Sequence, residues 1–140
     1  MNYSLRPATT DDVQGLVNLE YELFPENNFN EKTLTNEILQ GTTWVAGAGS
    51  TLLGYCLCRM WDKTLIDILR LGVLEEVRRC GIGRHLLEAA LARTEHAMLT
   101  VRKGNDPAIT LYERYGFQIT GSMPQCYAWV MRTTKTVASP

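Results

Sequence analysis

Seven residues, Arg78-Arg79-Cys80-Gly81-Ile82-Gly83-Arg84, place three fixed cations and two glycines together. The segment sits between a strand-like run and a helical one. A helix N-terminus offers unpaired amides and a partial positive charge, which suit a phosphate. The glycines let backbone approach a ligand, and the arginines add charge and forked donors. The spacing is neither G-x-G-x-x-G nor a P-loop, since no Gly-Lys-Ser/Thr follows. A plain glycine turn with solvated arginines also fits. Asn105 to Phe117 is a second constellation. Asn105 can cap a helix, Pro107 is tolerated in its first turn, and Gly116 can end it. Ala108, Leu111, Tyr112 and Tyr115 share one stripe, on which both tyrosines also read as core aromatics with hydroxyls at the rim. Asp67 is a third feature. It is an acid inside Leu65-Ile66-Asp67-Ile68-Leu69, where a charge is costly without a reason. Period two puts it on the face of Leu69 and Leu71. A solvated strand end near Lys63 is the plainer alternative.

These side chains need a scaffold. The pattern predicts a short first strand over 3–8 and a helix capped by Thr9 or Thr10, with Asp11 and Asp12 at its positive end. Val13, Leu16, Val17 and Phe24 mark its buried face. An asparagine-rich loop over 25–30 leads to a second helix, capped by Asn30, carrying Leu34, Ile38 and Leu39 and ended by Gly41. Strands over 42–46, 52–60 and 64–73, joined by short turns, predict an antiparallel meander. A helix over 82–95, a strand over 97–101, a helix over 105–115 and a closing strand pair over 117–121 and 127–132 follow. The order β-α-α-β-β-β-α-β-α-β-β implies an α/β (α+β) fold, a mixed sheet of about seven strands with helices on both faces. Residues 1–132 form a single domain on this reading, and 133–140 a small polar tail that frays.

Bulk properties narrow the classes. The chain has 140 residues, a net charge of -1, 45% hydrophobic and 21% charged residues. That describes an ordinary soluble domain, not a disordered one. No apolar run approaches the ~18 residues of a membrane span, and the first residues lack a signal-peptide core. The near-zero charge argues against extensive nucleic-acid binding. Four cysteines without metal or disulfide spacing predict free, mostly buried thiols in a reducing, cytoplasmic compartment, and no metal site. Cys56 and Cys58 share a strand face. Trp44, Trp61 and Trp129 read as strand aromatics packed on the core.

Arg78-x-x-Gly81-x-Gly83, followed by Asn105-x-x-Ala108-x-x-Leu111-Tyr112-x-x-x-Gly116-Phe117, resembles the GNAT superfamily of acetyl-CoA-dependent N-acetyltransferases. The likeness spans residues 3–132. The N-terminal half, Leu19-Glu20-Tyr21-Glu22-Leu23-Phe24-Pro25 and Asn30-Glu31-Lys32-Thr33-Leu34, is similar to the RimI-type protein N-terminal acetyltransferases. The resemblance implies the GNAT fold, in which the strands at 64–73 and 97–101 splay to admit acetyl-CoA. It implies cofactor contacts from Leu71, Gly72, Val73, Arg78, Arg79, Cys80, Gly81, Ile82, Gly83, Arg84, Asn105, Ala108 and Tyr112. In the family, a bulge in the first of those strands frees an amide to polarise the thioester carbonyl, and Gly72 suits that irregularity. Tyr112 matches the family's helix tyrosine, the acid for the leaving thiolate. Asp67 matches the base position of histone-acetylating members. Phe24, Glu22 and Tyr127 fall on the acceptor side, with Tyr21 near them. The RimI-type catalytic glutamate is replaced by Thr100, and the last hairpin is short. The implied reaction is direct attack of a primary amine, foremost a protein N-terminal α-amine, on acetyl-CoA. A small-amine acetyltransferase and a non-catalytic acyl-CoA-binding module are the alternatives. The enzyme would act as a monomer or homodimer. Arg78, Arg79, Arg84, Arg102 and Lys103 would face the anionic cofactor, and Glu20, Glu22, Glu26 and Glu31 the cationic amine.

Overall fold

Two helices begin at asparagines whose side chains satisfy first-turn amides. Asn30 Oδ1 accepts from the Thr33 amide at 2.9 Å, and Asn105 Oδ1 from the Ala108 amide at 3.4 Å. Each removes an orphan donor that would otherwise oppose helix initiation. The computed structural model describes residues 2–134. Its strands are β1 (Ser4–Pro7), β2 (Trp44–Ala48), β3 (Thr51–Met60), β4 (Leu65–Val73), β5 (His96–Arg102), β6 (Gln118–Met123) and β7 (Ala128–Thr134). Its helices are α1 (Val13–Leu23), α2 (Glu31–Leu39), α3 (Ile82–Leu91) and α4 (Asp106–Arg114). Single 3₁₀ turns lie at Thr10–Asp12, Glu75–Val77 and Pro124–Cys126.

The seven strands form one sheet in the order β1-β2-β3-β4-β5-β7-β6. Every neighbouring pair is antiparallel except β4 with β5, which the α3 crossover makes parallel. Alternation sorts the apolar residues onto two faces. Cys56, Ile66, Ile68 and Leu99 pack with Leu86, Leu87 and Ala90 of α3, and Ala108, Leu111 and Tyr112 of α4 join them. Val45, Tyr55 and Leu57 pack on the other face with Leu16 and Leu19 of α1 and Leu34 and Ile38 of α2. This is the expected mixed sheet with helices on both faces. Among the described residues, no helix is long and apolar enough to cross a membrane.

Several local expectations need correction. α3 ends at Leu91 rather than 95. The buried Thr94 hydroxyl bonds the Thr64 carbonyl at 2.5 Å and the His96 amide bonds the same carbonyl at 2.8 Å, drawing the chain off the helix into β5. β7 continues two residues past the expected limit, because Thr133 and Thr134 pair with Ala97 and His96. The remainder of the expected tail, 135–140, lies outside the described residues. Trp61 is 58% exposed, standing in the β3–β4 turn instead of on the core. All four cysteines are free, with Cys56 and Cys58 buried side by side (Sγ–Sγ 3.5 Å), but Cys80 and Cys126 are exposed.

Candidate active site between the splayed strands

One extra residue in β4 shapes the site. Leu57 pairs with Arg70, and Cys58 with Ile68, so Leu69 is a bulge. A bulge keeps two successive side chains on one face and reverses the alternation beyond it. Leu69 and Arg70 therefore both turn toward α1 and α2, while Leu71 packs with the α3 cluster. The irregularity falls at Leu69, not at Gly72, and it corrects the expected face of Asp67. Asp67 shares a face with Leu69 but not with Leu71.

Parallel pairing of β4 with β5 runs from Leu65↔His96 to Ile68↔Leu99 and stops. Beyond it, residues 69–73 of β4 stay with β3, and residues 100–102 of β5 stay with β7. The strands diverge into an open wedge. The Leu74 amide bonds the Leu53 carbonyl at 2.9 Å on the β3 side. Alternation then turns the Val73 and Leu71 amides toward the wedge, where no β5 carbonyl meets them. A cleft of about 650 Å³ fills this gap, between α1, β4, the start of α3 and α4.

Most expected binding residues converge on it. Leu71, Gly72, Val73, Arg78, Arg79, Gly81, Ile82, Gly83, Arg84, Asn105, Ala108 and Tyr112 line the cleft, as does Phe24. Gly81 enters α3 at φ +84°, a conformation glycine adopts freely, and Arg79 holds φ +71°. The first helical bond, from the His85 amide to the Gly81 carbonyl at 3.0 Å, leaves the amides of residues 82–84 ahead of it. Arg78 Nε is anchored to the Val73 carbonyl at 3.1 Å. Cys80 is exposed and does not line the cleft.

Tyr112 lies edge-on to Phe117, with ring centroids 5.7 Å apart. Burial pushes its phenol up to about 12, so it keeps its proton at neutral pH. Tyr115 faces away from the cleft, its hydroxyl donating to Glu88 at 2.6 Å. Gly72 serves packing: a Cβ there would meet the Tyr55 ring at 3.0 Å and Leu23 at 3.1 Å.

Other expected site residues stand apart. Asp67 pairs with Met98 in the closed part of the sheet and accepts from Trp61 Nε1 at 3.3 Å. It does not line the cleft. Glu22 is exposed on α1, Tyr21 is 63% exposed, and Tyr127 is 64% exposed in the last hairpin at φ +51°. None of the three lines the cleft. Thr100 is exposed on β5 opposite Val130.

One member of the expected acidic acceptor end, Glu20, is also corrected. Glu20 is fully buried, accepting from the Tyr55 hydroxyl, the Phe29 amide at 2.6 Å and Arg70 at 3.1 and 3.2 Å. It is spent on internal pairing and presents no charge to an amine. Sequence reasoning missed Glu20, Arg70 and Tyr55 as a unit. The available signal was that Glu20 occupies an apolar-stripe position of α1, four residues after Leu16 and four before Phe24. Leu23, Pro107 and Leu111, which the motif segments contain without a binding role being expected of them, also line the cleft, as does Val77.

The Acetyltransferase (GNAT) family matches residues 11–117. An N-alpha-acetyltransferase of Saccharolobus solfataricus is 32% identical over 147 aligned positions, covering 91% of this chain and 87% of that relative. A 5-NmdU N-acetyltransferase of Pseudomonas phage PaMx11 is 40% identical over 97 positions, covering 66% of this chain and 69% of that one. The structure of Arabidopsis thaliana Naa50 in complex with the bisubstrate analogue CoA-Ac-MVNAL superposes with a TM-score of 0.84 at 26% identity, covering 96% of this chain and 99% of that one. The chain belongs to the GNAT acetyltransferase family, the acetyl-CoA-dependent N-acetyltransferases that its motifs resemble.

Proposed function

We propose that this protein transfers the acetyl group of acetyl-CoA to the α-amine of a protein or peptide N-terminus. One observation carries the choice of amine. Among the described residues that line the cleft there is no aspartate, glutamate or histidine. A base is dispensable for an α-amine, whose pKa of about 7.7–8.0 leaves a useful neutral fraction at pH 7. A lysine ammonium near 10.4 would need one. The N-alpha-acetyltransferase relatives and the peptide-bearing bisubstrate analogue in the similar structure support the same choice.

The residues present fit acetyl-CoA. Arg79 and Arg84, with the leading amides of α3, are suited to the pyrophosphate, since they join fixed cations to a helix N-terminus. Acetyl-CoA supplies the activated thioester. The Val73 and Leu71 amides, unpaired on the wedge side, are suited to the carbonyl oxygen on which charge develops. Tyr112, neutral and buried, holds a proton for the leaving thiolate; because a thiol near about 8.5 is the stronger acid, the phenol must regain that proton from the ammonium formed when the amine attacks. Phe24 and Leu23 wall the acceptor side. Cys80 would contribute backbone alone. Four free thiols favour a reducing cytoplasmic compartment.

The test is a CoA-release assay with panels of N-terminal peptides and small amines. Turnover of the peptides is expected. Turnover confined to small amines would reverse the choice, and acetyl-CoA binding without turnover on either panel would mark a non-catalytic acyl-CoA-binding module.

A further inference from the structure

Arg70 performs several jobs with one guanidinium. Its Nε and Nη2 reach the two oxygens of Glu20 on α1 at 3.1 and 3.2 Å. Nη2 also donates to the Asn27 carbonyl at 2.8 Å. The guanidinium carbon sits 3.8 Å from the ring centroid of Phe24 and 4.7 Å from that of Phe29. Glu20 holds the far end of the same segment by accepting from the Phe29 amide. The side chain of Glu20 is 0% exposed and that of Arg70 13%. A buried ion pair survives only when its remaining polar atoms are satisfied, and here the partners that complete it are the Tyr55 hydroxyl and, in the loop over 24–30, the Phe29 amide and the Asn27 carbonyl.

The location gives the pairing a use. Phe24 lines the cleft, and Arg70 reaches it only because the Leu69 bulge turns Arg70 toward α1. The strand irregularity at the wedge and the wall opposite it are thus tied through one side chain. We infer that Arg70 and Glu20 are a positioning pair that fixes Phe24 and the 24–30 segment as the acceptor wall of the cleft. This rests on the acetyl-transfer function proposed above. Neither residue touches the reacting atoms; both set how well an amine is held.

The pair is tested by Arg70→Lys and Arg70→Met. A lysine keeps the charge but cannot fork to Glu20, reach Asn27 and cover Phe24 at once. Both variants should raise the acceptor KM by about tenfold or more, with kcat and the acetyl-CoA KM changed less than about twofold. An acceptor KM within about twofold of the parent in both variants would overturn the inference. So would a fall in kcat with the acceptor KM unchanged. Amide exchange on the parent chain gives a readout that needs no variant to fold. The Phe29 amide, bonded to a buried carboxylate, should exchange at least about tenfold more slowly than that of Asn28. Equal rates would overturn the pinning. The KM comparison uses whichever amine the parent acetylates, so a wrong acceptor class shows in the parent and a wrong positioning role in the variants.

Discussion

Trp61 Nε1 donates to Asp67 across 3.3 Å, on a stretch of β4 still zipped to β5. The contact places the only acid inside the β4 strand below the point where the wedge opens. Burial holds its carboxyl above the usual carboxylate range. Asp67→Asn should therefore keep turnover within about threefold and leave the pH–rate profile unmoved. The sign for stability follows from linkage. A carboxyl raised on folding costs nothing while protonated in both states and penalises the native state as pH rises through its titration. The stability of the variant relative to the parent should rise above about pH 4. Denaturation at several pH values checks this, and a lost acidic limb in the rate profile would restore Asp67 as a base.

Tyr112→Phe should lower kcat by about 100-fold or more, the usual yield of a positioned acid, with acetyl-CoA affinity nearly unchanged. The parent rate should climb through the amine titration near 7.7–8.0 and stay level to pH 10, because the phenol titrates only near about 12. A descending limb near pH 9 would mean another acid. The same raised value has a stability consequence. The contribution present below about pH 10 is lost as pH rises toward the folded value, so the protein should weaken in strong alkali.

Arg79→Ala and Arg84→Ala should each weaken acetyl-CoA binding by about tenfold at low salt, less as salt is raised, since the attraction is to a charged phosphate. Cys80→Ser should leave binding within about twofold, because Cys80 is exposed and does not line the cleft. Titration calorimetry at two ionic strengths separates them. Equal affinity for all three variants would remove the pyrophosphate assignment.

Gly72→Ala should cost about 1–3 kcal/mol, the range for inserting a methyl into a packed site. The new Cβ would press on the Tyr55 ring and on Leu23, the two side chains between β4 and α1. Chemical denaturation measures the loss, and a neutral result would show that Tyr55 can move without disturbing Glu20.

The parts legible in sequence were those set by neighbours in the chain. Asn105, Pro107 and Gly116 frame α4 because caps act within a few residues, and Gly81 marks the start of α3 for the same reason. The meander and the two-faced sheet followed from alternation and short turns. The family resemblance implied a bulge in β4, but its place at Leu69 was not legible, since an extra residue in an apolar strand leaves no signature in Ile-Leu-Arg-Leu. Everything downstream of it shifted: the face of Leu71, the reach of Arg70 and the exclusion of Asp67. The Glu20–Arg70 pair joins residues fifty apart, and only the fold reveals that Glu20 is already paired and withdrawn from the acidic acceptor end. Trp61 reads as a strand aromatic because its run of apolar neighbours continues straight into the turn that exposes it. The end of α3 was set by a tertiary bond from Thr94, to which helical periodicity is blind.

The most direct measurement of the central claim uses two peptides of one sequence. The first has a free α-amine and no lysine; the second has a blocked N-terminus and one lysine. With acetyl-CoA in excess, mass spectrometry should show one acetyl group on the first peptide, matched by CoA released, and none on the second. Acetylation of the second peptide with the first left untouched would contradict α-amine transfer and require a base that the described cleft lining does not contain.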